Sequence, residues 1–551
     1  MISDGKNMKI KGVLVCLSVL MTTSIFAQKP NVVIILADDL GYSDLSSFGS
    51  EIHTPYIDSL AYQGTRFTNY HTPATCSPTR AELMSGTDHH LAGLGAMAET
   101  MRADAARFDL VPKPEFLGKP GYEGYINARS LTLPQILQQN GYKTLMAGKW
   151  HLGFTPATNP AEKGFDYSYA LLNGADSHFK ALPQGIERKT IYTENGVNVS
   201  LPDDFYSTDF FVKKVIEYIG DETKQSQPFF AYVALTAPHW PLQVPAEYLD
   251  LYKNKYDTGY DEIKKNRLKN MVNLRITDSM KTAPVLSKEK TPLHLGTWDQ
   301  LTAKQRQVEA RKMELYAAQI KNMDDNVGKL IRHLKKINQY DNTLFIFMSD
   351  NGAEGFYRAS AGYDNRYNNL GKPKSYELIG PRWSEVSSAP FSLWKGTAAE
   401  GGVSAPAIVK LPHQSKAYIS KEFVSVRDVF PTVIEFTQST LTDTQRDAQH
   451  YNQPSGHSWM RYLRGQAKHI YGKDFIYADE LHGDAYVRNH KWKLTRTVTK
   501  NLNGPNWKLY DLENDRTETT DLSQAYPEIV KKLQAEYIQY TQRVGVLDFL
   551  E

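Results

Sequence analysis

Four mainly apolar runs, at 31–36, 142–147, 229–235 and 343–348, mark the first two-thirds of the chain. They are rich in Val, Ile and Phe and too short for ordinary helices, which predicts strands buried on both faces, as in a parallel sheet. Between them apolar positions recur every three or four residues. The clearest case is 303–337, where Met313, Tyr316, Ile320, Met323, Val327, Ile331 and Leu334 share one helix face. Strands alternating with helices predict the α/β class, with a large mixed, mostly parallel sheet sandwiched by helices.

The pattern breaks in three places. Residues 253–296 are charged and weakly periodic and read as a surface or lid segment between core elements. The polar, aromatic stretch 355–382 reads as a long functional loop. Residues 437–454 are polar, and beyond them short runs at 474–478, 484–488, 492–496 and 507–509 read as strands and 526–544 as a helix. The expected organisation is a large α/β domain over 28–445 and a smaller C-terminal antiparallel sheet plus helix over 446–551.

Residues 1–27 stand apart. Lys9 and Lys11, the apolar run 13–20 and Ala27 before Gln28 match a secretory signal peptide, so the mature chain is expected in the periplasm or outside the cell. No run approaches the roughly 20 apolar residues of a membrane span. The formal net charge is +3, and Lys6, Lys9 and Lys11 against Asp4 place most of it in the leader. A near-neutral mature chain offers no electrostatic case for nucleic acid or an acidic membrane surface.

The polar residues after the predicted strands carry the chemistry. Asp38 and Asp39 follow the first, Lys149 and His151 the second, His239 the third, and Asp350 and Asn351 the fourth. Open α/β sheets bind ligands beyond the carboxyl ends of their strands, so these groups are expected to converge. Asp38, Asp39, Asp350 and Asn351 are hard oxygen donors, which suit Ca²⁺, with Mg²⁺ as the alternative, over Zn²⁺ or copper. Three converging carboxylates repel one another, and a divalent cation removes that conflict. Arg80, Lys149, His151 and His239 add groups suited to an anion.

Beyond the leader one cysteine remains, Cys76, in the Pro-broken turn Cys76-Ser77-Pro78-Thr79-Arg80 ahead of a helical run. An unpaired cysteine in an exported chain points to an intermolecular bridge or a reactive group, with an inert buried thiol as the plain alternative. A helix N-terminus at this point favours an anion. The segment 76–86, Cys-Ser-Pro-Thr-Arg-Ala-Glu-Leu-Met-Ser-Gly, resembles the first signature of the type I sulfatases, with Ser85 where threonine is usual. Segment 141–151, Gly-Tyr-Lys-Thr-Leu-Met-Ala-Gly-Lys-Trp-His, resembles the second. Blocks at 37–41, 237–240, 349–352 and 509–512 are similar to others of that family, above all to bacterial arylsulfatases of the alkaline-phosphatase-like fold.

The resemblance implies that a formylglycine-generating (sulfatase-maturating) enzyme converts Cys76 to formylglycine (3-oxoalanine), whose hydrate attacks a small aryl or carbohydrate sulfate. It implies Asp38, Asp39, Asp350, Asn351 and the modified Cys76 as metal ligands, and Asp350 as acceptor of the attacking hydroxyl's proton. Arg80 and Lys149 would orient the diol, and Lys149, Lys395 and His239 would offset charge on the sulfuryl oxygens. His239 or Lys395 would protonate the leaving group, and His151 would release sulfate from the covalent intermediate. The loops 173–179 and 355–382 are expected to meet the organic part of the substrate, with His178 and His71 as candidates for the pocket rim. Two rival readings stand beside this one: a phosphonate monoester or phosphodiester hydrolase with the same fold and nucleophile, and an inactive Ca²⁺-dependent glycan-binding protein with Cys76 unmodified.

Overall fold

The computed structural model of the protein describes Met1 and residues 29–102, 113–221, 227–283, 296–356, 361–498 and 506–548. The leader expected at 1–27 otherwise lies outside the described residues. In chain order the strands of the large sheet are β1 (Asn31–Asp38), β2 (Thr65–His71), β3 (Lys143–Lys149), β4 (Tyr167–Leu171), β5 (Tyr192–Glu194), β6 (Val197–Asn198), β7 (Phe229–Pro238), β8 (Thr343–Ser349), β9 (Ser404–Lys410), β10 (Tyr418–Ser420) and β11 (Val424–Ser425). Across the sheet the order is β10-β2-β9-β8-β1-β7-β3-β4-β5-β6, with β11 also paired to β2.

The four apolar runs become the four central strands. β1 lies between β7 and β8 and is parallel to both, and β3 runs parallel to β7. Antiparallel pairs occur only further out, at β8–β9, β2–β9, β4–β5 and β5–β6. Alternation along β1 sends Val33 and Ile35 to one core and Val32, Ile34 and Leu36 to the other. That is why the run is apolar throughout. Helices α1 (Pro55–Gln63), α2 (Cys76–Ser85), α3 (Leu133–Gln139), α4 (Ser207–Ile219), α5 (Tyr260–Asn273), α6 (Ala303–Lys336) and α7 (Pro381–Ser387) cover the faces. α1, α4 and α6 close one core, and α2, α3 and the helix Val429–Thr437 close the other.

The structure departs from the pattern in instructive places. The strands β2 and β9 were not legible as apolar runs, because Arg66, Thr68 and Asn69 interrupt the first and Ser404 and Pro406 break up the second. The stretch 253–296 is no mere surface segment over its described part: α5 buries Arg267, whose Nη1 lies 2.5 Å from Asp44 Oδ1 and whose Nε lies 2.9 Å from Glu51 Oε2. The buried face of α5 mixes Tyr260, Ile263, Leu268 and Met271 with Lys264 and Arg267, which weakens the apolar periodicity. A second sheet, antiparallel in the order β12 (Tyr477–Leu481), β13 (Asp484–Arg488), β14 (Trp492–Arg496) and β15 (Trp507–Asp511), follows. The helix Pro527–Val544 packs Leu533, Tyr537, Tyr540 and Val544 against Ala485, Val487, Leu494 and Leu509. Trp459 still belongs to the large core, with its ring 5.2 Å from Phe67, so the composition change at 437–454 precedes the change of core.

Candidate active site

The carboxyl ends of β1, β3, β7 and β8 converge, and the first turn of α2 brings Cys76 into the same space. Asp38, Asp39, Cys76, Arg80, Lys149, His151, His239, Asp350, Asn351 and Lys395 are all buried. The backbone bends sharply here. Asp39 (φ 65°), His151 (φ 57°) and Leu393 (φ 59°) are left-handed non-glycine residues, a conformation that costs on the order of 1–3 kcal/mol each and collects at functional sites. Just before Lys149, Gly148 has φ 123°, and a Cβ there would lie 1.8 Å from the Ala234 carbonyl oxygen. Only glycine lets β3 pass so close to β7 while aiming the lysine inward.

Cys76 Sγ lies 3.4 Å from Asp38 Oδ1 and 4.0 Å from Asp39 Oδ1. Lys149 Nζ donates to both oxygens of Asp38 (2.9 and 2.7 Å), and Lys395 Nζ donates to Asp39 (2.8 Å) and Glu354 Oε2 (3.1 Å). Arg80 donates from Nε (3.1 Å) and Nη2 (2.7 Å) to Asp350 Oδ2 and from Nη1 to the Lys149 carbonyl (3.0 Å). His239 Nε2 is 3.5 Å from Asp39 Oδ2, while its Nδ1–H donates to the Trp240 carbonyl (2.8 Å). His151 Nε2–H donates to Glu99 Oε1 (3.0 Å).

Burial and charge pull these groups apart in protonation. Burial raises Asp38, but Lys149, His239, Arg80 and Lys395 outweigh it and hold the carboxyl well below the usual range. Asp39 is raised, by burial and then by Asp38, against the pull of Lys395. Burial and the Asp38 charge push Asp350 up to about 7 despite Arg80 and Lys149. The Cys76 thiol is driven far up by burial, and burial drives His239 far down. Lys395, opposed by burial but favoured by Asp39, stays firmly protonated.

The donor set fits a hard cation. Asp38, Asp39, Cys76 and His239 offer atoms mutually within 4.8 Å. Asn351 Nδ2 donates to Asp39 Oδ1 (2.7 Å) and the Gly352 carbonyl (2.9 Å), which leaves its Oδ1 buried without a partner among the described residues. A buried acceptor beside two carboxylates is the complement of Ca²⁺ or Mg²⁺. Two other groupings of ligand-type side chains, Asp88-His89-His90 and Glu82-His89-Asp479, differ in kind. There Arg427 Nη2 already lies 2.7 Å from Glu82, 2.9 Å from Asp88 and 3.3 Å from Asp479. A cavity of about 520 Å³ lined by Arg427, His457, Tyr471 and Phe475 shares no residue with the strand-end cluster.

Neither histidine expected at a pocket rim lies there. His71 is fully buried between Glu400 (3.0 Å) and Arg488 (3.0 Å). His178 is buried under the site, with Nδ1 2.7 Å from Ser207 Oγ and Nε2 2.9 Å from the His239 carbonyl oxygen. Both rings are used up by internal partners. Conversely, Glu99 and Glu354 escaped the sequence reading. Glu354 stands three residues after Asn351, a proximity that could have flagged it, whereas Glu99 sits in no motif and meets His151 only through the fold.

A sulfatase family model matches residues 30–439. The chain is 41% identical over 543 residues, 95% of each chain, to an uncharacterized sulfatase of Schizosaccharomyces pombe. It is 38% identical over 422 residues to the arylsulfatase of Klebsiella aerogenes, covering 74% of this chain and 87% of that one. The crystal structure of Ps i-CgsB in complex with k-i-k-neocarrahexaose aligns with a TM-score of 0.65 at 25% identity, covering 93% of both chains.

Proposed function

The chain belongs to the sulfatase family and is a sulfuric ester hydrolase, and from that premise we propose that it cleaves an aryl or carbohydrate sulfate with hydrated formylglycine at position 76 as nucleophile. The observation that carries this reading is Cys76 itself, buried between Asp38 and Asp39 with its thiol held protonated. Only a thiolate is a strong sulfur nucleophile, so the unmodified side chain is poorly suited to attack. Conversion to the aldehyde by a maturating enzyme, followed by addition of water, places two hydroxyls where the sulfur stands.

Asp350, held by Arg80, takes the proton of the attacking hydroxyl as the hydroxyl oxygen bonds to sulfur. Arg80 and Lys149 hold the diol, while Lys149, Lys395 and His239 face the sulfuryl oxygens. The ester S–O bond breaks, and His239 Nε2 or Lys395 Nζ gives the departing oxygen a proton. Burial lowers the proton affinity of His239, whereas Lys395 stays protonated beside Asp39. His151, held at Nε2 by Glu99, leaves Nδ1 to remove the second hydroxyl proton; the C–O bond to sulfate breaks and the aldehyde returns. A divalent cation, which we propose is Ca²⁺, would be held by Asp38, Asp39, Asp350 and Asn351 and would supply charge that acidifies the attacking hydroxyl and steadies the sulfuryl group.

Among the described residues no helix is long and apolar enough to cross a membrane. The leader pattern supports export, with residues 28–445 as the catalytic unit and 446–551 as a supporting subdomain. The test is peptide mass spectrometry of residue 76 alongside sulfate release from 4-nitrophenyl sulfate. An aldehyde in active protein is expected, and full activity with an intact thiol would overturn the mechanism. Faster cleavage of an aryl phosphate diester than of the aryl sulfate would favour the phosphoryl rival.

A further inference from the structure

Glu99 reaches His151 from the corner of a tight turn. Met97, Ala98, Glu99 and Thr100 make that turn, closed by the Thr100 N–H donating to the Met97 carbonyl (3.0 Å), and Glu99 Oε1 accepts from His151 Nε2–H (3.0 Å). Both ends of the turn meet one atom of the small sheet. The Met97 N–H (3.4 Å) and the Thr100 hydroxyl (3.2 Å) each approach Nε2 of His482. His482 (φ 56°) and Gly483 (φ 91°) are the two residues that join β12 to β13, with Leu481 and Asp484 paired on either side of them. Positive φ at both positions is what so short a hairpin turn requires, so the β12–β13 ladder sets where this imidazole stands.

Two donors converge on one nitrogen, so His482 Nε2 serves as an acceptor and carries no proton. Burial, with the charges of His89 and His90 beside it, holds this ring well below its ordinary 6.5, at about 3, against the pull of Glu99. The small subdomain grips the same loop a second time. Ala96 and Met101, on either side of the turn, pack with Phe116 and Tyr122 and against Leu547, and the Leu547 N–H donates to the Tyr122 hydroxyl (2.8 Å). Glu99 Oε2 has no hydrogen-bond partner among the described residues, so the place of the carboxylate depends largely on the course of the turn. That place matters, because the partner of one ring nitrogen decides the state of the other, and a shift of about 1 Å in a catalytic group can cost a large rate factor.

We propose that His482 is a positioning residue for His151: by holding the turn 97–100 it keeps Glu99 on Nε2 and leaves Nδ1 to release sulfate from residue 76. This rests on the sulfatase reading and gives the small sheet a part in the second half of the reaction. With 4-nitrophenyl sulfate, whose phenoxide leaves readily, His482→Ala should lower kcat about fivefold, lower KM with it and leave kcat/KM unchanged, because the steps up to S–O cleavage do not use His151. Covalent sulfate should build up on residue 76 by intact mass, which a loss of folded protein alone does not produce. His482→Gln, whose amide oxygen can accept the same donors, should restore turnover. Thr100→Val leaves the hairpin intact and should show the same pattern more weakly, even where His482→Ala unfolds. The double variant Glu99→Gln/His482→Ala should have a kcat no lower than Glu99→Gln, since both changes act through one carboxylate. Additive losses, or a fall in kcat/KM without covalent sulfate, overturn the proposal. Covalent sulfate in Glu99→Gln but in neither His482→Ala nor Thr100→Val overturns the positioning role and leaves the mechanism standing. Its absence from all of these and from His151→Ala overturns the formylglycine mechanism, and this role with it.

Discussion

The strand-end cluster and the seam between the two sheets both bury carboxylates against cations, but they sit differently in the fold. At the seam, Arg427 reaches Glu82 of α2, Asp88 of the following loop and Asp479 of β12. His90 bridges Asp88 (3.0 Å) and Glu480 (3.1 Å), and the Tyr540 hydroxyl donates to Asp88 (3.1 Å). Alongside, Glu400 is met by His71 (3.0 Å), Lys493 (2.9 Å) and Arg516 (3.3 Å). Apart from His90–Asp88, each of these contacts joins segments far apart in sequence, so the charges staple the small sheet to the large one. At the strand ends, Asn351 Oδ1 and His151 Nδ1 remain buried and unpartnered, and the backbone is bent at Asp39 and His151. The seam too leaves Glu82 Oε2, Arg427 Nε and Arg488 Nε buried without a hydrogen-bond partner among the described residues, so unmatched atoms alone do not mark a ligand site. What sets the strand ends apart is that their carboxylates and cations gather at one edge of the sheet around Cys76.

Cys76→Ala should break the comparison most sharply on the chemical side. Sulfate release should fall by at least about 10⁴-fold, while metal content and thermal midpoint hold. Near-normal turnover in that variant would remove residue 76 from the mechanism. On the structural side, Arg427→Met leaves Glu82, Asp88 and Asp479 unbalanced in the interior. A loss of about 3–5 kcal/mol is expected in denaturant titration, with kcat per folded molecule retained. A variant as stable as the parent would show that the seam is no fastening.

Asp39→Ala should lower metal occupancy by elemental analysis and reduce kcat by more than about 100-fold, since it removes both a ligand and the partner of Lys395. Full Ca²⁺ content in an Asp38→Ala/Asp350→Ala protein would reject the ligand set. The two histidines separate by step. His151→Ala should accumulate covalent sulfate on residue 76 with every substrate, and His239→Ala should suffer most with poor leaving groups and accumulate none, by intact mass. Glu99→Gln should be a milder His151 variant, slower by about tenfold.

The smallest effect concerns pH. Burial opposes protonation of His89, but Asp479, Asp88 and Glu82 push it up to about 10, above its ordinary 6.5, with Arg427 and His90 also facing the cluster. Its two ring nitrogens face the Leu94 carbonyl (2.8 Å) and Asp479 (3.5 Å), as a doubly protonated ring requires. The folded state keeps a proton that the unfolded chain releases above about 6.5, so this stabilisation is complete at lower pH and is lost as pH climbs through 10. Denaturation midpoints should therefore fall between neutral pH and pH 10 in the parent and fall less in His89→Gln. Equal slopes would refute the assignment.

Much of the candidate site was readable because its residues sit at the ends of apolar strands. Asp38, Asp39, Lys149, His151, His239, Asp350 and Asn351 all come within three residues of a strand end, and a parallel sheet necessarily gathers such ends on one edge. Glu99, His71 and His178 were not readable in this way. A histidine's role depends on what faces both ring nitrogens, and Glu99 lies 52 residues from His151 while Glu400 lies 329 from His71.

By itself the sequence determined the layered α/β plan, the central strands, the small antiparallel sheet with its helix, and the convergence of hard donors and cations around Cys76. These follow from hydrophobic periodicity and strand direction, which are properties of near neighbours along the chain. Only the tertiary structure decided that α5 is fastened by Arg267, that Glu354 joins Lys395 to Trp240, and that His71 belongs to a fastening while His151 keeps a free nitrogen. Those outcomes depend on which distant side chains share a buried volume, where each unmatched polar atom carries a cost of order 1–3 kcal/mol, and no local pattern in the chain encodes that pairing.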